Sequence, residues 1–146
     1  GADRAALDFA LRKKIPCRGW CPAGRMAEDG PLPHRYPLKE TPGEKPEERT
    51  RLNVEESDAT LIIYKNALDK GSRFCLAQAK EELKPVYIIH SNESMNHEEF
   101  WLWMEINKVK SLNIAGPRES NDRGTYDFTM KALEMIFRKE QAKNPD

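Results

Sequence analysis

Apolar positions along this chain follow two alternating periods. Ala2, Ala5, Ala6, Phe9 and Ala10 recur at i, i+3, i+4, i+7 and i+8, one face of a helix. Small side chains on that face allow close packing, and Lys13-Lys14 close the helix with cations at its negative end. Ile15-Pro16 then opens an extended piece reaching Gly19-Trp20. Pro46 to Glu56 reads as a short polar helix with Leu52 inward. Ala59-Thr-Leu-Ile-Ile-Tyr64 is a β-branched apolar run between polar ends, as in a buried strand. Val86 to Ile89 and Ser111 to Ala115 predict two more strands. Helical spacing returns from Ser72 to Leu83, from about His97 to Lys108 (Phe100, Trp103, Met104, Asn107), and from about Arg123 to Gln141. In the last, Tyr126, Met130, Leu133 and Phe137 share one face.

Strands therefore alternate with helices, which predicts a mostly parallel sheet covered on both faces, a three-layer α/β/α domain. One domain, 1–146, accounts for the whole length. The first helix has no strand feeding it, although a leading strand is normally central in such sheets. The leading strand is expected to be missing from the chain as given. Residues 16–46 differ in kind. They hold seven of the ten prolines, and proline fixes φ and donates no amide hydrogen, so regular helix or central strand is not expected there. A loop this long in a compact domain is more often functional, and Trp20, Leu32, Tyr36 and Leu38 favour an anchored one.

Charge narrows the function. With 24 Lys+Arg against 24 Asp+Glu the formal net charge is zero, which argues against bulk electrostatic binding of nucleic acid. No apolar run approaches the roughly 20 residues of a membrane span. Three cysteines, Cys17, Cys21 and Cys75, do not build a disulfide framework and fit a reducing, cytoplasmic setting. Cys17-x-x-x-Cys21 has only His34 nearby and no second pair at ligand spacing, so no metal site is expected. Expected histidine roles are ordinary polar contacts for His90 and His97. The apolar block from Phe100 to Met104 reads as core plus subunit interface.

Ligands of open α/β sheets bind beyond the carboxyl ends of the strands. Three segments occupy such places: Gly1-Ala2-Asp3-Arg4, Lys70-Gly71-Ser72-Arg73 and Gly116-Pro117-Arg118-Glu119-Ser120. Each puts a small residue at a helix start, where free amides and the dipole favour an anion. Arg4, Lys70, Arg73, Arg118 and Arg123 add donors suited to phosphate. Convergence of the three predicts an electropositive cradle for a phosphorylated small molecule. Walker A and G-x-G-x-x-G patterns are absent, as is any carboxylate pair or Ser/His/Asp order that identifies catalysis.

Several of these segments together resemble the molybdenum cofactor carrier-like family. They are Gly1-Ala-Asp-Arg-Ala-Ala-Leu-Asp8, Gly19-Trp-Cys-Pro-Ala-Gly-Arg25, Ala27-Glu-Asp-Gly-Pro31, Arg35-Tyr-Pro-Leu38, Asn53-Val-x-x-Ser-Asp-Ala-Thr60 and Leu112-Asn-Ile-Ala-Gly-Pro-Arg-Glu-Ser120. The likeness runs from residue 1 to about residue 137. That family lies in the Rossmann-like superfamily that includes the lonely-guy, or lysine-decarboxylase-like, proteins. Its members usually open with a strand and Gly-Gly-Gln-Thr-Gly-Ala-Asp, and this chain starts at the last Gly of that motif. The resemblance implies a Rossmann-like fold, a dimer or tetramer, and non-covalent binding of molybdenum cofactor, a phosphorylated pterin. It implies a ligand-facing set of Gly1, Asp3, Arg4, Gly71, Ser72, Gly116, Arg118, Glu119 and Ser120, with Arg25 and Arg35 from the proline-rich loop. Two departures stand out. Cys75 takes the place of a common Thr, and Lys70 to Cys75 lacks the Pro-Gly-Gly-x-Gly-Thr-x-x-Glu loop of the lonely-guy hydrolases. A carrier rather than an enzyme is the expectation. The alternatives are a nucleotide-sensing module and a nucleotide phosphoribohydrolase, the latter relying on Glu119.

Overall fold

The computed structural model describes residues 1–142, with side chains as far as residue 137; residues 143–146 of the expected domain lie outside that range. Helix α1 spans Ala2–Arg12 and buries Ala2, Ala5 and Phe9. The proline-rich stretch follows, with β1 (Gly19–Cys21), a 3-10 turn (Ala23–Arg25), β2 (Met26–Ala27), β3 (Gly30–Pro31) and β4 (Leu38–Glu40). Next come α2 (Pro46–Glu55), β5 (Ala59–Tyr64), α3 (Lys70–Glu81), β6 (Val86–His90), α4 (His97–Ile106), β7 (Leu112–Ala115) and α5 (Thr125–Ala142).

Strands β5, β6 and β7 form one parallel sheet in the order β6-β5-β7, with Leu61 opposite both Tyr87 and Ile114. Strand parity sorts side chains onto two faces. Leu61, Ile63 and Ile89 join Phe9, Phe100, Ala132, Leu133 and Ile136 in the larger core. Val86 and Ala115 point the other way and meet Val54, Cys75 and Ala79. Helices α1, α4 and α5 thus cover one face and α2 and α3 the other, as a Rossmann-like α/β fold requires. Among the described residues no helix is long and apolar enough to cross a membrane.

The proline-rich stretch builds two small sheets: β1 with β4, parallel, and the β2–β3 hairpin. None joins the main sheet, consistent with the donors that proline removes. Arg25 shows how the stretch holds together. Its guanidinium is buried and donates to the carbonyls of Leu32, Pro33, Tyr36 and Leu38 at 2.8–3.0 Å. Prolines leave carbonyl acceptors in excess of amide donors, and one five-donor fork corrects the imbalance.

Several helix details differ from the sequence expectation. Helix α3 starts at Lys70, with Asp69 as its N-cap, so Gly71 lies in the first helical turn rather than in a preceding turn. It ends at Glu81, and Leu83 sits outside it, 92% exposed and at φ 58°. In α2 the inward residue is Val54, while Leu52 is only half buried. The buried stripe of α5 is Thr125, Thr129, Ala132, Leu133 and Ile136, shifted by about one residue from the expected face. Helix α1 packs against α5. In α4, Phe100 is fully buried and Trp101 donates to the Ile136 carbonyl, leaving Leu102 and Ile106 exposed. His90 binds Glu93 and stacks on Tyr64, and His97 binds the Ile136 carbonyl.

Candidate functional site

The chain leaves β5 towards β6 on one side and has β7 on the other, so the sheet's topological switch point lies between β5 and β7. A cleft of about 280 Å³ opens at their carboxyl ends. Its walls come from the start of α1 (Asp3), from α2 (Glu47, Arg49, Thr50, Asn53), from the start of α3 (Asp69 to Ser72, Phe74 and Cys75) and from β7 and its following turn (Asn113, Gly116, Arg118, Asn121).

The starts of α1 and α3 and the turn after β7 meet here, held by short polar contacts. The Ala2 amide donates to the Pro117 carbonyl at 3.1 Å. Asp69 ties α3 to the turn after β7: one carboxylate oxygen accepts from the Ser72 amide (2.9 Å) and hydroxyl (2.8 Å), the other from the Arg118 amide (3.1 Å) and the Asn121 side chain (2.9 Å). Burial opposes ionisation of Asp69, but the hydrogen bonds from Asn121, Ser72 and Arg118 outweigh it and hold its carboxyl below the usual range. The protein's own carboxylate thus fills the anion position at the α3 N-terminus. The cleft is not uniformly electropositive, since Asp3, Glu47 and Asp69 face Arg49, Lys70 and Arg118. At the rim, the exposed side chains of Lys70 and Arg118 make no hydrogen bond or ion pair with the described residues.

Of the sequence-derived set, Asp3, Gly71, Ser72, Gly116 and Arg118 line the cleft. The glycines divide by environment. A Cβ on Gly116 would lie 2.1 Å from the Ile63 carbonyl oxygen and 2.6 Å from the Ala2 Cβ; one on Gly1 would lie 2.0 Å from the Pro117 oxygen. Both glycines exist because backbones cross there. A Cβ on Gly71 meets only an Asp69 oxygen at 3.8 Å, so that turn of α3 presents bare backbone to the cleft.

The remaining members lie outside it. Arg4 pairs bidentately with Asp29 at 2.8 and 2.9 Å, and Ser120 donates to Glu28, so the hairpin tip covers both. Arg25 is spent on loop carbonyls, as described above. Arg35 lies over the Tyr36 ring at 4.8 Å and donates to its hydroxyl. Glu119 accepts from the Gly124 and Tyr126 amides at the start of α5, contacts that hold its carboxyl below the usual range. It caps a helix and does not face the cleft.

Sequence reasoning missed Arg49 and Asn53 of α2, Asn113 of β7, and the Asp69 cap. Arg49 Nη1 donates to Asp3 Oδ2 at 2.8 Å across the cleft. The Asp69-x-x-Ser72 spacing was the available signal for the cap; the α2 pairing has no local signal. Cys75, at the floor, is buried, and burial pushes its thiol up to about 12. Among the described residues no group of three or more His, Cys, Asp or Glu side chains is placed to hold a metal ion.

A parallel sheet with a cleft at its switch point, lined by polar side chains from four elements, defines a Rossmann-like α/β protein. The chain belongs to the circularly permutated YpsA SLOG family, whose sequence model matches residues 1–137. It is similar to a crystal structure at 1.45 Å from Syntrophus aciditrophicus SB, described as a "putative molybdenum carrier protein", at 40% identity and TM-score 0.85. That match covers 92% of this chain and 87% of the other. The resemblance to molybdenum carrier-like proteins is borne out, as is the fold class. No curated protein matches the chain.

Proposed function

We propose that this protein is a non-catalytic carrier that holds molybdenum cofactor, or a closely related phosphorylated pterin, in the cleft between β5 and β7. The observation that carries the reading is the pair of cations, Lys70 and Arg118, without a partner among the described residues, at the rim of a cleft lined largely by polar side chains. Because Asp69 occupies the α3 N-terminus, the phosphate is held by these two side chains rather than by helix amides. The ring lies inward, along the bare backbone at Gly71 and against Thr50, Asn53 and Asn113. At about 280 Å³ the cleft is just below the usual range for small-molecule sites, roughly 300–1,000 Å³, so the phosphate and the metal end remain near the mouth. Shielding an oxygen-sensitive dithiolene from water is the benefit of such a site. The name of the 40% identical neighbour supports the cargo class.

The reading includes subunits associated as dimers or tetramers in the cytoplasm, with exposed Leu102 and Ile106 of α4 as the candidate contact. Light scattering checks this part by itself. The cargo is tested by adding molybdenum cofactor to purified protein and following cofactor lifetime and thermal unfolding. Longer lifetime together with a raised Tm is expected, and no change in either at excess cofactor contradicts the reading.

A further inference from the structure

The cleft floor contains an unusual ion pair. Asp3 in the first turn of α1 and Arg49 in α2 meet through a single contact, Nη1 to Oδ2 at 2.8 Å. Arg and carboxylate often pair as two forks with two parallel hydrogen bonds. Here the contact is end-on, and it leaves Asp3 Oδ1 and Arg49 Nε buried with no hydrogen-bond partner among the described residues. One is an acceptor and the other a donor. Neither is reached by solvent, so hydration compensates for neither, and a buried polar group without a partner is costly. Natural interiors keep few such groups, and two on adjoining side chains of one cleft ask for a ligand.

The neighbours sharpen what that ligand offers. Asn53 is committed, its Oδ1 accepting from the Trp20 amide at 2.9 Å. Asn113 directs its Nδ2 to Thr60 at 3.2 Å and to Cys75 Sγ at 3.8 Å, and its Oδ1 makes no hydrogen bond with the described residues. Cys75 is a weak donor at most. The open capacity at the floor is therefore an N–H donor from Arg49 and carboxylate and amide oxygens from Asp3 and Asn113.

Resting on the cargo reading above, we propose that Asp3 and Arg49 are the specificity pair of the cleft, selecting a heterocycle with a lactam edge, an N–H beside a C=O. Pterins and guanine carry that edge. Adenine and 2,4-diaminopteridines, with an amino group in place of the carbonyl, do not. The pair turns outward when the cleft fills: Asp3 accepts the ring N–H, and Arg49 Nε donates to the ring carbonyl. A site whose buried polar groups are satisfied only by the right edge rejects the isostere strongly.

The test is calorimetric titration of wild type, Asp3→Asn and Arg49→Lys with two matched pairs: 6-hydroxymethylpterin against its 2,4-diamino analogue, and guanosine against 2-aminoadenosine 5′-monophosphate. Within each pair only the edge changes materially, and the nucleotides share one phosphate. The lactam member is expected to bind at least tenfold tighter to wild type, and this preference falls below threefold in both variants. Arg49→Lys keeps the positive charge but removes Nε, so a purely electrostatic role leaves the preference intact and overturns the proposal. Equal binding within each pair also overturns it, while leaving the phosphorylated-cargo reading to its own titration. Failure of all four compounds to bind wild type at millimolar concentration overturns it as well. Comparing pterin with guanosine monophosphate tells which source of the edge the cleft prefers.

Discussion

Gly71 and Gly116 line the same cleft for opposite reasons, and alanine tells them apart. At Gly71 a methyl has room on the protein side and points at ligand space. Gly71→Ala is expected to leave stability unchanged or raise it by about 0.5 kcal/mol, because alanine loses less backbone entropy in a helix. Ligand affinity falls at least tenfold. At Gly116 the same methyl would lie 2.1 Å from the Ile63 oxygen, so the crossing of β7, β5 and α1 must open. Gly116→Ala is expected to cost about 3 kcal/mol through overpacking. Denaturant unfolding with a binding titration on each variant checks both; a Gly71→Ala protein that binds like wild type removes that turn of α3 from the site.

Elements are joined here mainly by side chains that cross between them. Asp8 of α1 accepts from the hydroxyls of Tyr36, in the proline-rich stretch, and Tyr126, in α5. Burial first, then the Asp8 hydrogen bond, pushes the Tyr126 hydroxyl up to about 12. A tyrosine whose folded pKa lies above its unfolded value of about 10 adds stability that is complete below pH 10 and lost as pH rises towards 12. Tyr126→Phe is therefore expected to be less stable by about 1 kcal/mol at pH 7 and to show a flatter decline between pH 10 and 12. Chemical denaturation at a series of alkaline pH values measures the difference, and parallel pH curves contradict it. Arg25 is the corresponding device within the proline-rich stretch. Replacing it with Met leaves four carbonyls without their donor, and a hydrogen bond from a charged group is worth about 1.5–3 kcal/mol. Limited proteolysis should cut Arg25→Met within residues 22–41 at least tenfold faster than wild type, with the α/β body intact. Equal cutting rates mean that the stretch is held by something other than that fork.

At the scale of the whole molecule, what could be read from the sequence divides by range. Strand β5 matches its apolar run residue for residue, since a fully buried strand leaves a continuous signature. Alternation of elements suffices for the layers. The meeting of the α1 and α3 starts with the turn after β7 follows from topology, because parallel strands deliver their carboxyl ends to one edge. Charge at that edge did not follow. Arg4 looked available, yet Asp29, 25 residues away in sequence, takes it. Arg25 joined the ligand-facing set through the resemblance, and nothing local in the sequence announces four carbonyls in need of donors. Asp3 was visible as a candidate, but its partner Arg49 lies 46 residues on, a pairing that only the folded chain creates.

Binding at the switch-point cleft through Lys70 and Arg118 is the claim on which the functional account depends. Its most direct measurement is molybdenum cofactor affinity for wild type and for Lys70→Ala/Arg118→Ala, both of whose side chains are exposed and make no hydrogen bond or ion pair with the described residues. The account predicts an unchanged Tm without ligand and affinity at least 30-fold weaker in the double variant, with the residual binding less sensitive to salt. Equal affinity and equal salt dependence in the two proteins would place the cargo elsewhere.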